Sequence, residues 1–259
     1  MKLLFVFISI ISTIFLIAND NSSIAWDRKA APVKNDSKAM SIASKSFIFT
    51  SSKNYYKVDP KKKYRLSGKF KLQAPLPSKP GKLKFGIQTF DKFKRPILSE
   101  QTTAINNSSS ILLLDAEYGQ RSVNIANNKK WVLIPNFSYI AFNAKDDYSD
   151  LPNRSIVAIS AIEKKDKYTE IIFKEPLREF FPKNSKVRLH QRLASFLYGG
   201  ALNKPLTTEY VTFSGIFTGE QRGGNNNIFR QGTQFVQLIV MLEGQGTLLF
   251  KDIKFEEVK

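Results

Sequence analysis

The sequence predicts an all-β protein, and three observations carry that prediction. From Tyr64 to Leu72, apolar residues alternate with basic or small polar ones at a period of two, as in a strand with one buried face. Glycine, proline and asparagine interrupt the apolar segments at short intervals. No window of a dozen residues keeps a helical period with capping residues, and the best helical candidate is a turn near 176–181. Many short strands separated by turn residues are typical of a β-sandwich or a β-barrel.

The first 25 residues are considered apart from the fold, because they have the pattern of a secretory signal peptide. A basic start, Met1-Lys2, precedes an apolar run from Leu3 to Ala18, and Ser23-Ile24-Ala25 offers small residues for cleavage. The run is shorter than the roughly 20 residues that a membrane-spanning helix needs. We expect the mature chain to begin near Trp26, secreted or at the cell surface, with no transmembrane segment once residues 1–25 are removed. A retained N-terminal anchor is the alternative.

The strands follow in order along the rest of the chain. Residues 26–44 are polar, which predicts a flexible leader before the first domain segment at 45–143. Tyr64–Leu72 and Leu83–Thr89 form a predicted hairpin, because prolines and a glycine occupy the loop between them. Further strands are predicted from apolar or alternating segments: Ile111–Ala116, Trp131–Ile134, Tyr139–Asn143, Ile156–Ile162, Glu170–Phe173, Lys186–His190, Tyr210–Phe217, Phe235–Leu242 and Thr247–Glu256.

The middle of the chain differs in its pattern of turn and apolar residues from both ends. The stretch from Asp146 to Asn153 is rich in turn residues, and the apolar segments after it are short and closely spaced. Residues 144–190 are therefore predicted to form an inserted small β subdomain, resembling a barrel. The insertion separates 45–143 from 191–259, which we take as two parts of one sandwich.

Charge and cysteine content restrict the classes of function. The chain has no cysteine, which excludes thiol chemistry and cysteine-ligated metals. It carries 40 Lys and Arg against 22 Asp and Glu, a formal net charge of +18. Codon bias and solubility are one interpretation of this excess, and attraction to a polyanion outside the cell is the other. Export and the lack of any nucleic-acid motif argue against DNA or RNA, so an acidic or sulfated polysaccharide is the better partner.

Three segments resemble a known type of domain. Val58, Pro60 and Tyr64-Arg65-Leu66-Ser67-Gly68 match the form V-x-P-x-x-x-Y-x-L-S-G, which enters the first long strand of CenC-like carbohydrate-binding modules. Gly86–Asp91 is similar to the following strand of those modules, and Leu249–Phe255 to their closing strand. The resemblance implies a jelly-roll β-sandwich of the galactose-binding-like type. It also implies sugar binding, and a structural Ca²⁺ held by Asp252 of the last strand with carbonyls of the first.

Candidate catalytic residues are few. The sequence has no Gly-x-Ser-x-Gly elbow, no His-Glu-x-x-His and no phosphate loop. His190 is the only histidine, which excludes histidine-rich metal sites. It lies two residues after Arg188 on a predicted strand, so both side chains share one face, and Tyr198 is placed to return towards them. His190 is thus either a polysaccharide lyase base or a hydrogen-bonded strand residue.

Binding to sugars needs aromatic faces that stack on the pyranose ring, with planar donors beside them for hydroxyls and carboxylates. Aromatics near loop-like sequence and arginines or glutamine near them meet that requirement. The selected ligand-binding set is Trp131, Tyr148, Arg154, Arg188, His190, Tyr198 and Arg222, with Tyr118, Phe196, Gln191 and Arg230 as further candidates.

These observations favour a secreted, non-catalytic protein that binds carbohydrate, with an acidic polysaccharide as the expected ligand. A structural or adhesive surface protein on the same fold is the second interpretation, and a polysaccharide lyase or hydrolase is the third.

Overall fold

The structure, a computed structural model, describes residues 24–258 as strands joined by turns, with one short helix. In chain order the strands are β1 (Ala31–Val33), β2 (Asp36–Ser44), β3 (Phe47–Ser51), β4 (Tyr56–Lys57), β5 (Lys63–Leu72), β6 (Lys82–Phe90), β7 (Ser110–Ile111), β8 (Ser122–Ile125), β9 (Ser138–Phe142), β10 (Ile156–Lys164), β11 (Thr169–Phe173), β12 (Lys186–Gln191), β13 (Leu197–Pro205), β14 (Val211–Phe217), β15 (Glu220–Gln221), β16 (Phe229–Arg230), β17 (Phe235–Glu243) and β18 (Gly246–Val258). The helix α1 (Ser99–Thr102) lies between β6 and β7.

Two sheets face each other in a sandwich, which confirms the predicted all-β fold. One has the strand order β1-β2-β18-β5-β14, and the other has the order β13-β6-β17-β3 with β4 beside β17. The alternation in β5 places Leu66, Phe70 and Leu72 in the core between the sheets, while the basic residues between them face outward. β17 pairs with β6 and β3 inside its sheet, and its residues 238–242 are buried on both faces, with Leu238, Val240 and Leu242 in the core between the sheets.

A second sheet system is inserted between two neighbouring strands of the sandwich. β6 and β13 pair with each other, and the chain between them forms a sheet of order β7-β12-β9-β10-β11-β8. The two ends of this sheet meet, because Leu112 bridges Ile125 and the Leu113 amide donates to the Asn124 carbonyl at 2.9 Å. The sheet is therefore nearly closed, like a barrel, around a second apolar core that runs from Leu112 to Leu189 in sequence.

The predicted limit of the insertion at residue 144 falls between β9 and β10, inside this sheet. The strand β9 is buried along its whole length, so its sequence does not differ from that of a central sandwich strand. The barrel-like unit consequently begins before residue 144, and no change in the sequence pattern indicated its first residue.

Several expectations about local structure were wrong. Tyr64–Leu72 and Leu83–Thr89 form no hairpin, since β5 and β6 lie in different sheets. Residues 26–44 are not a flexible leader, since β2 pairs with β18 and buries Ala39 and Ile42 among its polar residues. Residues 131–134 form no strand, because Trp131 turns into the second core. The turn near 176–181, the best helical candidate of the sequence, is a turn without a helix, and the one described helix is α1.

The predicted signal peptide lies outside the described residues except for its last two positions, Ile24 and Ala25. Within residues 24–258, no helix is long and apolar enough to span a membrane.

Candidate functional site

Arg188 and His190 share one face of β12, as the strand period predicts. Val187 and Leu189 point into the second core, so the alternate residues point to the other face of the sheet, where α1 packs. Both Arg188 and His190 are buried, with 1% and 0% of their surface exposed. A pair that was selected as ligand-facing is thus sealed inside the protein.

His190 has both ring nitrogens engaged. Nδ1 lies 2.7 Å from the Glu100 carbonyl oxygen, and Nε2 lies 3.1 Å from Nε of Arg188. Because the guanidinium only donates, Nε2 accepts and Nδ1 carries the proton. Burial lowers the pKa of His190 to about 4, so the ring is neutral at pH 7. His190 therefore offers neither an accessible base nor a metal-ligand position.

Arg188 is held by the turn-rich loop that precedes β10. Its Nη2 donates to Asp150 Oδ2 at 2.7 Å and its Nη1 to the Lys145 carbonyl at 3.0 Å. The same Asp150 oxygen accepts from Nδ2 of Asn153 at 2.9 Å. The guanidinium fork expected to hold a ligand carboxylate instead closes this loop over the sheet.

Tyr148 brings three of the predicted residues together. The guanidinium carbon of Arg188 lies 4.5 Å from the ring centroid and that of Arg222 lies 3.6 Å from it. Nε2 of Gln231 also donates to the Tyr148 carbonyl at 3.2 Å. Tyr148 is half-buried and contacts both guanidinium groups, so it joins the inserted unit to the sandwich loop of Arg222 and is not an open platform for sugar.

Trp131 and Tyr198 lie elsewhere than expected. Trp131 is fully buried in the second core, where its Nε1 donates to the Ser108 carbonyl at 2.8 Å, so it is not a sugar platform. Tyr198 lies on β13 of the sandwich and its hydroxyl contacts the sulfur of Met241 at 3.8 Å. Burial raises the pKa of Tyr198 to about 12. Its described contacts do not include Arg188 or His190.

Asp252, the predicted calcium ligand, lies on β18 and is engaged in an ion pair. Its carboxylate is ion-paired with Nζ of Lys69 at 2.9 Å. The described residues contain no group of three or more acidic, histidine or cysteine side chains that would hold a metal. A Ca²⁺ held by Asp252 together with backbone carbonyls of the first strand stays a prediction.

Arg154 is the predicted residue that reaches a concave surface. It follows the loop of Asp150, and it is fixed by three acceptors from residues 91–101, in the chain after β6 and in α1. Its Nη2 donates to Asp91 Oδ2 at 2.9 Å, and its Nη1 donates to the Pro96 carbonyl at 2.8 Å and to Oε1 of Gln101 at 3.0 Å. About a third of the side chain remains exposed. Arg154 lines two clefts, one on either side of it.

The large cleft has a volume of about 490 Å³ and lies on the inserted unit. Its floor includes Tyr139, which shares the outer sheet face with His190. The guanidinium of Arg192 lies 4.9 Å from the Tyr139 ring and donates twice to one oxygen of the buried Glu100, at 2.7 and 3.1 Å. Four cationic side chains line this cleft, against two acidic ones: Arg154, Lys174, Arg178 and Arg192, against Glu175 and Glu179.

The small cleft has a volume of about 250 Å³ and lies beside the loop 91–95. The Asp91 carboxylate organises that loop, accepting from the amides of Phe93 and Arg95 at 2.9 and 3.0 Å and from Nε of Arg95 at 2.8 Å. Burial opposes ionisation, but these hydrogen bonds and the charge of Arg154 outweigh it and lower the pKa of Asp91. Phe93 stands at the tip, 65% exposed.

Sequence reasoning missed most residues of the clefts. One signal was present, since Phe93 lies within Lys92-Phe93-Lys94-Arg95, an aromatic residue flanked by cations between a strand and a proline. Tyr139 and Arg192 gave no linear signal, because only the pairing of β9 with β12 brings them together.

No protein-family model matches this chain, and neither the curated proteins nor the solved structures contain a match. The resemblance to CenC-like modules stays a prediction.

Proposed function

We propose that this is an exported, non-catalytic protein that binds an acidic polysaccharide, and that the large cleft is its binding site. The observation that carries the proposal is the set of four cationic side chains around a concave surface. Arginine forks pair with carboxylate or sulfate groups in two parallel hydrogen bonds.

The cations of the large cleft differ in how strongly they are already bound. Arg192 and Arg154 are each paired with a buried carboxylate, which fixes their positions. Arg178 is paired at 2.9 Å with Glu175, and both side chains are largely exposed. Exposed pairs contribute little stability, so Arg178 is the fork most easily exchanged onto a ligand anion.

The burial and hydrogen bonding of His190 favour binding over catalysis. A lyase needs an accessible base beside a charge-neutralising partner. His190 is buried, neutral and hydrogen-bonded at both nitrogens, so the lyase interpretation loses the residue on which it rested.

The test is calorimetric titration of the purified protein with two acidic tetrasaccharides, tetragalacturonate and a chondroitin sulfate fragment, and with neutral cellotetraose. A Lys174→Ala, Arg178→Ala double variant should bind the acidic sugars at least tenfold more weakly. The matched control is Lys129→Ala with Lys167→Ala, which removes two exposed charges outside the clefts and should stay within about twofold. Equal losses in both variants, or no acidic tetrasaccharide bound by the parent protein, would reject the large cleft as the site.

A second candidate function, surface adhesion through protein contacts, is favoured by one observation. The turn after Trp131 exposes three large apolar residues within six positions: Val132, Ile134 and Phe137. If they attach the protein to a surface partner, Val132→Ser with Phe137→Ser should release it from intact cells and leave glycan titrations unchanged. Full retention of that variant on cells would remove this candidate.

A further inference from the structure

We infer that the small cleft is a second sugar subsite, in which Phe93 stacks on one residue of an acidic oligosaccharide whose neighbouring residues occupy the large cleft. This deepens the proposed function and rests on it. It assigns the ligand class as an acidic chain of several sugar residues, in contrast to a single acidic sugar.

Phe93 is displayed by a rigid loop. The Asp91 amide donates to the Arg95 carbonyl at 3.0 Å and the Lys94 amide donates to the Asp91 carbonyl at 2.9 Å. Together with the bonds to the Asp91 carboxylate, these contacts fix the backbone on both sides of Phe93. A single exposed apolar residue is ordinary in itself. An exposed ring on a fixed loop at the rim of a cleft loses little entropy when a sugar stacks on it.

Positive charge surrounds that ring. The Lys92 ammonium and the Arg95 guanidinium each lie 5.0 Å from the Phe93 centroid. Arg95 and Arg154 both bind the same oxygen of Asp91, at 2.8 and 2.9 Å. The lining of the small cleft thus holds three cations, Lys92, Arg95 and Arg154, against the one carboxylate of Asp91. A sugar stacked on Phe93 would place its acidic substituent among these donors.

The two clefts meet at Arg154. This residue lines both, and its three hydrogen bonds make the wall between them a fixed structure. The small cleft, at about 250 Å³, is below the usual range of about 300–1,000 Å³ for drug-sized ligands. One sugar ring suits that volume, and the rest of the chain continues past Arg154 into the large cleft.

An anionic membrane surface is the other partner that a cationic loop with an exposed ring would suit. Membrane-surface elements bury a broad apolar face, whereas Phe93 is the sole apolar residue of the loop 91–95. The concave surface beside Phe93 and its directional donors favour a sugar.

The experiment compares Phe93→Ala, Phe93→Trp and a control, Phe47→Ala, which removes a similarly exposed ring on β3 of the sandwich. The probes are galacturonate, tetragalacturonate, the chondroitin sulfate tetrasaccharide and vesicles containing phosphatidylserine. Phe93→Ala should lower the affinity for each acidic tetrasaccharide about tenfold and leave the affinity for galacturonate unchanged. Phe93→Trp should restore affinity and change its fluorescence on binding, because Trp26 and Trp131 are buried.

Failure of the inference and failure of the proposed function give different results. If tetrasaccharide binding is lost in Lys174→Ala, Arg178→Ala but unchanged in Phe93→Ala, the second subsite is wrong and the large cleft stands. If the parent protein binds neither tetrasaccharide, both proposals fail. If Phe93→Ala loses vesicle binding and keeps tetrasaccharide binding, Phe93 contacts a membrane and the inference is overturned.

Discussion

Arginines of the same chain occupy two kinds of surroundings. Arg188 and Arg230 are 1% exposed, and their guanidinium groups donate to partners inside the protein. Arg95 and Arg178 are largely exposed and are each paired with one nearby carboxylate. Arg188 closes a loop within the inserted unit, and Arg230 of the strand β16 donates to Ile97 in the chain after β6. Arg95 and Arg178 line the outer clefts. Residue type alone therefore does not separate a binding arginine from a structural one; burial and the number of internal acceptors do.

The largest expected effect is on stability, at Arg188. Arg188→Ala removes the partner of the buried Asp150 carboxylate and a donor to His190. Losing one member of a buried ion pair costs about 3 to 5 kcal/mol. Urea unfolding should show that loss, while any binding of acidic sugars by the remaining folded protein stays unchanged. A destabilisation below about 1 kcal/mol would mean that Arg188 belongs with the exposed arginines.

The next effect is a dependence of stability on pH from His190. Burial lowers its pKa from 6.5 to about 4. The folded state thus disfavours the charged ring, so this contribution to stability is complete above pH 6.5 and is lost as the pH falls from 6.5 through 4. The expected loss is about 3 kcal/mol.

The free energy of unfolding should therefore fall more between pH 7 and pH 4 for the parent protein than for His190→Asn, which lacks the titrating ring. Urea unfolding at both pH values measures this difference. Parallel losses in the two proteins would show that His190 is accessible when folded.

Tyr148 contacts one buried cation, Arg188, and one exposed cation, Arg222, so it compares the two kinds of arginine directly. Arg222→Ala removes the exposed cation and should cost about 0.5 to 1 kcal/mol in thermal or urea unfolding. That is well below the loss for Arg188→Ala. Equal losses would contradict the distinction between buried and exposed arginines.

The smallest effect on stability is expected where the effect on binding is largest. Arg178→Ala should change the free energy of unfolding by no more than about 0.5 kcal/mol, since its pair with Glu175 is exposed.

Affinity for acidic tetrasaccharides should fall as salt rises from roughly 0.05 to 0.5 M, because charge interactions are screened within about 8 Å at physiological ionic strength. Equal affinity at both salt concentrations would show that the cationic side chains of the clefts do not contribute to binding.

The sequence predicted the sandwich well and the clefts poorly, for physical reasons. The alternation in β5 and the doubly apolar β17 report burial directly, so those strands were recognised. β2 was not, because its buried residues are small or few among serines and lysines. The shared face of Arg188 and His190 followed from the strand period, but the cover supplied by α1 and Asp150 is a tertiary contact. Arg154 was selected by residue type, and the partners that place it in two clefts come from distant segments.

The position of a bound acidic tetrasaccharide in a crystal of the complex tests the central claim most directly. The account predicts an acidic group within hydrogen-bonding distance of Arg178 or Arg192, a sugar ring against Phe93, and the chain passing over Arg154 between them. Arg188 and His190 should stay covered and unchanged. A sugar bound elsewhere on the protein, or one that displaces the loop from Arg188 to reach His190, would contradict it.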